Sequence, residues 1–139
     1  MPDPENVAAV ASEWVNKAEN DLKTAAHSLR LGKACPTDTV SFHAQQAVEN
    51  LKALLTAHGI PFPKTYNIGK LVEMLPVGAH PHLSKAEQNE LTDFATGPRY
   101  PGWGEISLAD ARRAVAVARL LRRDVRRLLP KEALRPRKR

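Results

Sequence analysis

The segment from Thr39 to His58, TVSFHAQQAVENLKALLTAH, decides the fold. It contains no Pro or Gly and is rich in Ala, Leu, Gln, Glu and Lys, which are strong helix formers. The composition predicts one helix of about five turns. At about 100° per residue, its apolar side chains form one stripe that predicts the core face: Val40, Ala44, Ala47, Val48, Leu51, Leu54 and Leu55. We expect this helix to be the most buried of the protein.

Three polar residues follow one flank of that stripe. His43, Gln46 and Asn50 are spaced i, i+3 and i+7, so their side chains share one edge of the helix. We expect their donors and acceptors to line a groove between helices, where they are candidate ligand-binding residues. Phe42 projects to the far side, so either the helix is central in a bundle or Phe42 contacts another chain. The second of these possibilities favours a homodimer.

The rest of the chain predicts further helices between clear breaks. Residues 1–11 are expected to form a flexible leader, and the first helix to begin at Ser12 and end at Gly32. Asn67, Ser84 and Ser107 are candidate N-caps of the later helices, and residues 130–139 are expected to be a basic disordered tail. These elements predict an all-α fold, an antiparallel up-and-down bundle of four long helices plus a short accessory helix over residues 12–129.

Composition excludes several classes of protein. The 139 residues are enough for one domain, and the single cysteine, Cys35, rules out an intramolecular disulfide. No run approaches the roughly 18 apolar residues of a membrane span, so a cytoplasmic location is expected. His80 and His82 form an H-x-H pair without further ligands nearby, so we predict no metal site and no cofactor.

Positive charge is concentrated at the C-terminal end. Residues 1–111 carry 9 Lys or Arg against 13 Asp or Glu, whereas residues 112–139 carry 12 against 2. Four arginines of the last long helix fall on its outer side and are candidate nucleic-acid-binding residues: Arg112, Arg119, Arg123 and Arg126. The alternative is a solvated helix face.

Three segments together resemble the HEPN domain family (higher eukaryotes and prokaryotes nucleotide-binding domain), in its small stand-alone bacterial type. They are WVNKAENDLKTA, then SFHAQQAVENLKALL followed by GIPFPKTYNIGKL, and finally the RYP link before an Ala-rich helix. The resemblance implies a helical bundle, frequent homodimers, and pairing with a small nucleotidyltransferase in toxin–antitoxin-like systems. It also implies ribonuclease activity in the branches that carry an Arg followed, after four to six intervening residues, by a His.

Departures from the family pattern argue against catalysis. Counted from Arg99, the positions of that His hold Gly104, Glu105 and Ile106, none of which is an imidazole. We therefore assign no catalytic residue and expect Arg99 and Tyr100 to bind phosphate or base. The predicted function is binding of nucleotide or RNA without cleavage, as the partner of a nucleotidyltransferase. The alternatives are a ribonuclease that uses a displaced His43, and nucleic-acid binding through the C-terminal arginine face.

Overall fold

The computed structural model describes residues 4–94 and 104–135, and helices account for most of them. Helix follows helix along the chain, and no strand occurs within the described ranges. The helices are α1 (Pro4–Leu29), α2 (Thr37–Gln45), α3 (Val48–Ala57), α4 (Ile68–Met74), α5 (Lys85–Asp93), α6 (Leu108–Leu128) and α7 (Lys131–Leu134). The fold is an all-α helical bundle, as the sequence predicts.

The pair α2 and α3 lies at the centre of the bundle. Both helices pack against α1 and α6, so α3 is surrounded along most of its length. Every residue from Val48 to Leu55 is buried, including the polar ones. The predicted core face is confirmed, because all seven of its side chains are buried: Val40, Ala44, Ala47, Val48, Leu51, Leu54 and Leu55.

The predicted single helix over 39–58 is interrupted at Gln46 and Ala47. The amide of Ala47 bonds to the carbonyl of Ala44, and the amide of Glu49 bonds to that of Gln46, three residues back instead of four. Such tightening bends a helix without Pro or Gly. The side chain of Gln45 is held in place next to this bend, because its Nε2 donates to the carbonyl of Tyr66 at 2.7 Å.

The two ends of the bundle are more helical than the sequence predicts. The first helix begins at Pro4 and not at Ser12, and Ala11, in the expected leader, is fully buried. Ser12 is not an N-cap, because it lies inside α1 and its hydroxyl donates to the carbonyl of Arg135 at 3.4 Å. Within the expected tail, α7 forms and buries Ala133. The first helix and α7 pack on each other, which explains why both ends are helical where the sequence predicts a flexible leader and a disordered tail.

The predicted N-caps of the later helices are confirmed. Asn67 accepts the amide of Lys70, and Ser107 accepts the amide of Asp110. Ser84 and Glu87 form the reciprocal capping box at the start of α5. None of the helices in residues 4–94 and 104–135 combines the length and the hydrophobicity that crossing a bilayer requires.

Candidate functional site

The link that carries Arg99 and Tyr100 lies outside the described residues. The structure resumes at Gly104, whose φ of 98° favours glycine. Glu105 is exposed, whereas Ile106 is buried in the core. A cavity of about 620 Å³ lies here, between the start of α6 and the loop from α1 to α2. Its wall includes Lys33, Cys35, Asp38, Gly104 and Glu105.

His43, in the last turn of α2, pairs with Asp21 in the middle of α1. Its Nδ1 lies 2.7 Å from Asp21 Oδ1, and the two side chains are 27% and 22% exposed. The Asp21 carboxylate accepts a hydrogen bond from Nδ1–H, which fixes the orientation of the ring and leaves Nε2 on the side away from Asp21. The Phe42 ring meets the imidazole edge to face, with centroids 5.5 Å apart. His43 is therefore an oriented imidazole at a partly open position.

Glu49, six residues after His43 and in the first turn of α3, adds a second carboxyl group. It is 9% exposed, and its Oε2 has no hydrogen-bond partner among the described residues. Burial, followed by the charge of Asp21, raises the pKa of Glu49 to about 7, against the opposing effects of Lys17 and Lys52. Near neutral pH this carboxyl is therefore part protonated, and its protonated form can donate a hydrogen bond to Asp21.

Lys52 of α3 is the fourth polar residue of this group, and it is buried. Its ammonium lies 5.1 Å from the centroid of the Trp14 ring and 4.8 Å from that of Tyr66. Burial lowers the pKa of Lys52, and the charge of Glu49 opposes the shift. The two aromatic faces replace part of the lost hydration of the ammonium. Asp21, His43, Glu49 and Lys52 are named the α1–α3 polar cluster below.

Gln46 and Asn50 are buried and do not line an open groove. They are only 7% and 2% exposed. Gln46 Nε2 donates to Gln45 Oε1 at 3.1 Å, while Asn50 Oδ1 has no partner among the described residues. Of the three residues on this predicted flank, only His43 has a side chain that is appreciably exposed to solvent. Gln46 and Asn50 are therefore buried residues at the junction of α2 and α3.

The four predicted arginines of α6 differ in their surroundings. Arg126 lies 3.5 Å from Glu19 of α1, and Arg123 lies 3.8 Å from the neighbouring Asp124. Arg112 and Arg119 are exposed, and neither has an ion pair within the described residues. The predicted stripe is therefore part interhelical contact and part open surface.

The two histidines near Pro81 have structural surroundings. His80 Nε2 lies 2.9 Å from the carbonyl oxygen of Leu75. The amide of His82 donates to the buried carboxylate of Asp124 at 2.9 Å, which ties this loop to α6. No group of three or more metal-ligating side chains occurs in the part of the chain that the structure describes.

Sequence reasoning missed most of the polar cluster. The sequence patterns identify none of Asp21, Glu49 and Lys52 as a candidate site residue. A signal existed in the burial pattern, because Glu49 and Lys52 fall beside the apolar stripe of the most buried helix. Their partners on α1 and on the link near Tyr66 are set by the tertiary fold.

These features define an all-α bundle whose central helices carry a buried charged cluster. A family model for the HEPN domain matches residues 11–128. The chain belongs to the HEPN domain family. Among solved structures, the chain is similar to TT1696 from Thermus thermophilus, with a TM-score of 0.71 and 25% identity. That match covers 86% of this chain and 98% of TT1696. No curated protein matches the chain.

Proposed function

We propose that this HEPN protein is a binding subunit that pairs with a small nucleotidyltransferase and holds a nucleotide or RNA phosphate without cleaving it. The observation that carries the proposal is the run that follows Arg99. Where ribonuclease branches of the family carry His, this chain has Gly104, exposed Glu105 and buried Ile106. Cleavage without a metal needs a group that transfers protons near neutral pH, and none stands at these positions.

Phosphate recognition is assigned to Arg99, with Tyr100 as its neighbour. A guanidinium presents paired donors that match two phosphate oxygens. Pairing with a nucleotidyltransferase is carried over from the family resemblance, in which such pairs act as toxin and antitoxin. A homodimer belongs to the same proposal, because the family often dimerises.

A specific observation favours one alternative, a ribonuclease that uses a displaced His43. The Asp21 carboxylate orients the imidazole through Nδ1 at 2.7 Å, as a general base requires. Within the described residues no hydrogen bond reaches Nε2. Catalysis would still require that Arg99 bring a phosphate to this nitrogen.

One experiment separates the two functions. A labelled single-stranded RNA is incubated with wild type, Arg99→Ala, His43→Ala and the control Lys85→Ala, whose side chain is exposed on α5. We expect no cleavage by any of the four, and weaker binding of nucleotide or RNA by Arg99→Ala alone. Cleavage by wild type and Lys85→Ala that disappears in the other two variants would establish His43 as the catalytic base and overturn the binding function.

Pairing is tested by copurification from the native cell at low salt. We expect a small nucleotidyltransferase, identified by mass spectrometry, in the wild-type and Lys85→Ala samples. Recovery of this HEPN protein without any nucleotidyltransferase, together with RNA binding that is insensitive to Arg99→Ala, would overturn the proposal.

A further inference from the structure

The outer seam between α1 and α6 changes character along its length. At one end, Glu19 of α1 forms ion pairs with Arg122 and Arg126 of α6. Towards the other end of the seam, both segments contain Lys and Arg residues but no carboxylates. No Asp or Glu occurs from Leu22 to Thr37 or from Ala111 to Arg123.

The register of the two helices follows from the ion pairs of Glu19, and a contact of Ser12 with the chain beyond α7 gives the direction. Ser12 bonds to Arg135, Glu19 to Arg122 and Arg126. The helices are therefore antiparallel, and a step forward on α1 corresponds to a similar step back on α6. The cavity at the far end agrees, since Lys33 after α1 and Leu108 at the start of α6 both line it.

Helical spacing then places four cations along the seam. Lys23 follows Glu19 at i+4 on α1, and Arg30, in the turn directly after α1, follows it at i+11, so both continue the edge of Glu19. Arg119 and Arg112 precede Arg126 by 7 and 14 residues and share its edge of α6. In the antiparallel register, Lys23 is level with Arg119, and Arg30 is level with Arg112.

These four side chains are available to a partner. All are exposed, and none has a side-chain hydrogen bond or ion pair within residues 4–94 and 104–135. Other arginines of α6 are engaged: Arg113 lies 3.1 Å from Glu90, and Arg127 lies 3.0 Å from Asp124. On each helix the two cations are seven residues apart, which is about 10 Å along the axis.

We propose that Lys23, Arg30, Arg112 and Arg119, named the basic seam, bind the phosphodiester backbone of a nucleic acid. Nucleic-acid interfaces are strongly positive and polar, whereas the core of a protein interface is depleted in charge and rich in apolar side chains. Lys23 and Arg30 line a shallow pocket at the end of the first helix, and its other residues are small or polar: Thr24, Ala26, His27 and Ser28. Leu31 is the one exposed large apolar side chain at this end of α1 in the described chain. A polyanion therefore fits better than a protein surface.

The basic seam extends the proposed function. It would bind the backbone of a longer strand, whereas recognition of a nucleotide is assigned to Arg99. The cavity beside Gly104 is lined by none of the four residues of the basic seam, and Asp38 and Glu105 add negative charge there. We therefore assign affinity for the strand to the basic seam, and binding of a single phosphate to Arg99 in the link after Phe94. The two contributions are separable by salt and by ligand size.

The test measures binding of a labelled 20-nucleotide poly-uridine against salt concentration by fluorescence anisotropy. The seam variant carries Gln at Lys23, Arg30, Arg112 and Arg119. The matched control carries Gln at four other exposed lysines and so has the same net charge: Lys64, Lys70, Lys85 and Lys131. Circular dichroism establishes that both variants are folded.

Four phosphate contacts to a single strand contribute a slope of about −2.8 in log affinity against log salt. We expect the seam variant to lose most of that slope and the control to keep it. An equal loss in both variants would show a net-charge effect only and overturn the proposal, as would binding that neither variant changes. It is also overturned if poly-glutamate of equal charge binds wild type more tightly than the RNA.

The outcome is distinguishable from failure of the proposed function. The Arg99→Ala variant is expected to weaken mononucleotide binding while it retains most of the salt slope for poly-uridine. If the seam variant binds poly-uridine as wild type does, the seam proposal fails, whatever Arg99→Ala does to the mononucleotide.

Discussion

The Glu49→Gln variant should lose a pH dependence of stability that the wild type owes to one buried carboxyl group. Burial and the neighbouring Asp21 raise the pKa of Glu49 from 4.5 to about 7 in the folded chain. In the unfolded chain this carboxyl titrates near its ordinary value, so between these two pH values the folded state binds more protons. The free energy of unfolding therefore falls as pH rises from about 4.5 to about 7.

The size of the effect follows from the same pKa difference. A change from 4.5 to about 7 corresponds to on the order of 3 kcal/mol of unfolding free energy. Gln preserves the shape of the side chain but cannot ionise. We expect Glu49→Gln to match wild type near pH 5 and to be the more stable protein at about pH 8, by up to that amount.

Urea denaturation followed by circular dichroism from about pH 5 to pH 9 measures the difference between the two proteins. Glu73→Gln, on the exposed side of α4, is the control and should run parallel to wild type. If Glu49→Gln and wild type differ by the same free energy at every pH, Glu49 does not titrate between these values and the account of the polar cluster is wrong.

Three further outcomes are expected. Leu54→Ala, at a fully buried position of α3, should lower the free energy of unfolding by about 2–5 kcal/mol in urea titrations. Ser84→Ala should cost about 1 kcal/mol through loss of the hydroxyl that accepts the Glu87 amide. The pKa of Glu87 is lowered first by the backbone amide of residue 84, which Ala retains, and second by the Ser84 side chain, so the difference from wild type should shrink only slightly as pH falls through the acidic range. Light scattering at tens of micromolar should give about twice 15.3 kDa, and a monomer would contradict the predicted homodimer.

The features that the sequence predicted well are those that depend on residues close together in the chain. The apolar stripe from Val40 to Leu55 required only helical periodicity, and every member is buried. The N-caps at Asn67, Ser84 and Ser107 required only a polar side chain three residues before the amide it accepts.

The features that were missed depend on distant partners. The bend at Gln46 has no Pro or Gly to mark it, and it coincides with a bond from Gln45 to Tyr66, on a link 21 residues away. Pro4 starts the first helix early because Ala11 packs in the core. Asp21 and His43 meet only because α1 lies against α2, and no local pattern encodes that contact.

The polar cluster and the basic seam lie on opposite sides of α1. Asp21 is two residues after Glu19, which is about 200° around the helix, whereas Lys23 and Arg30 lie within about 40° of Glu19. A strand bound along the seam would therefore not pass over His43 on the same face of α1. Independent sites have additive free energies. We expect His43→Ala to leave the salt slope of poly-uridine binding unchanged, both in wild type and in the seam variant. A slope that changes on His43→Ala would mean that the strand reaches the polar cluster, and binding would then have to be described as one continuous surface around the first helix.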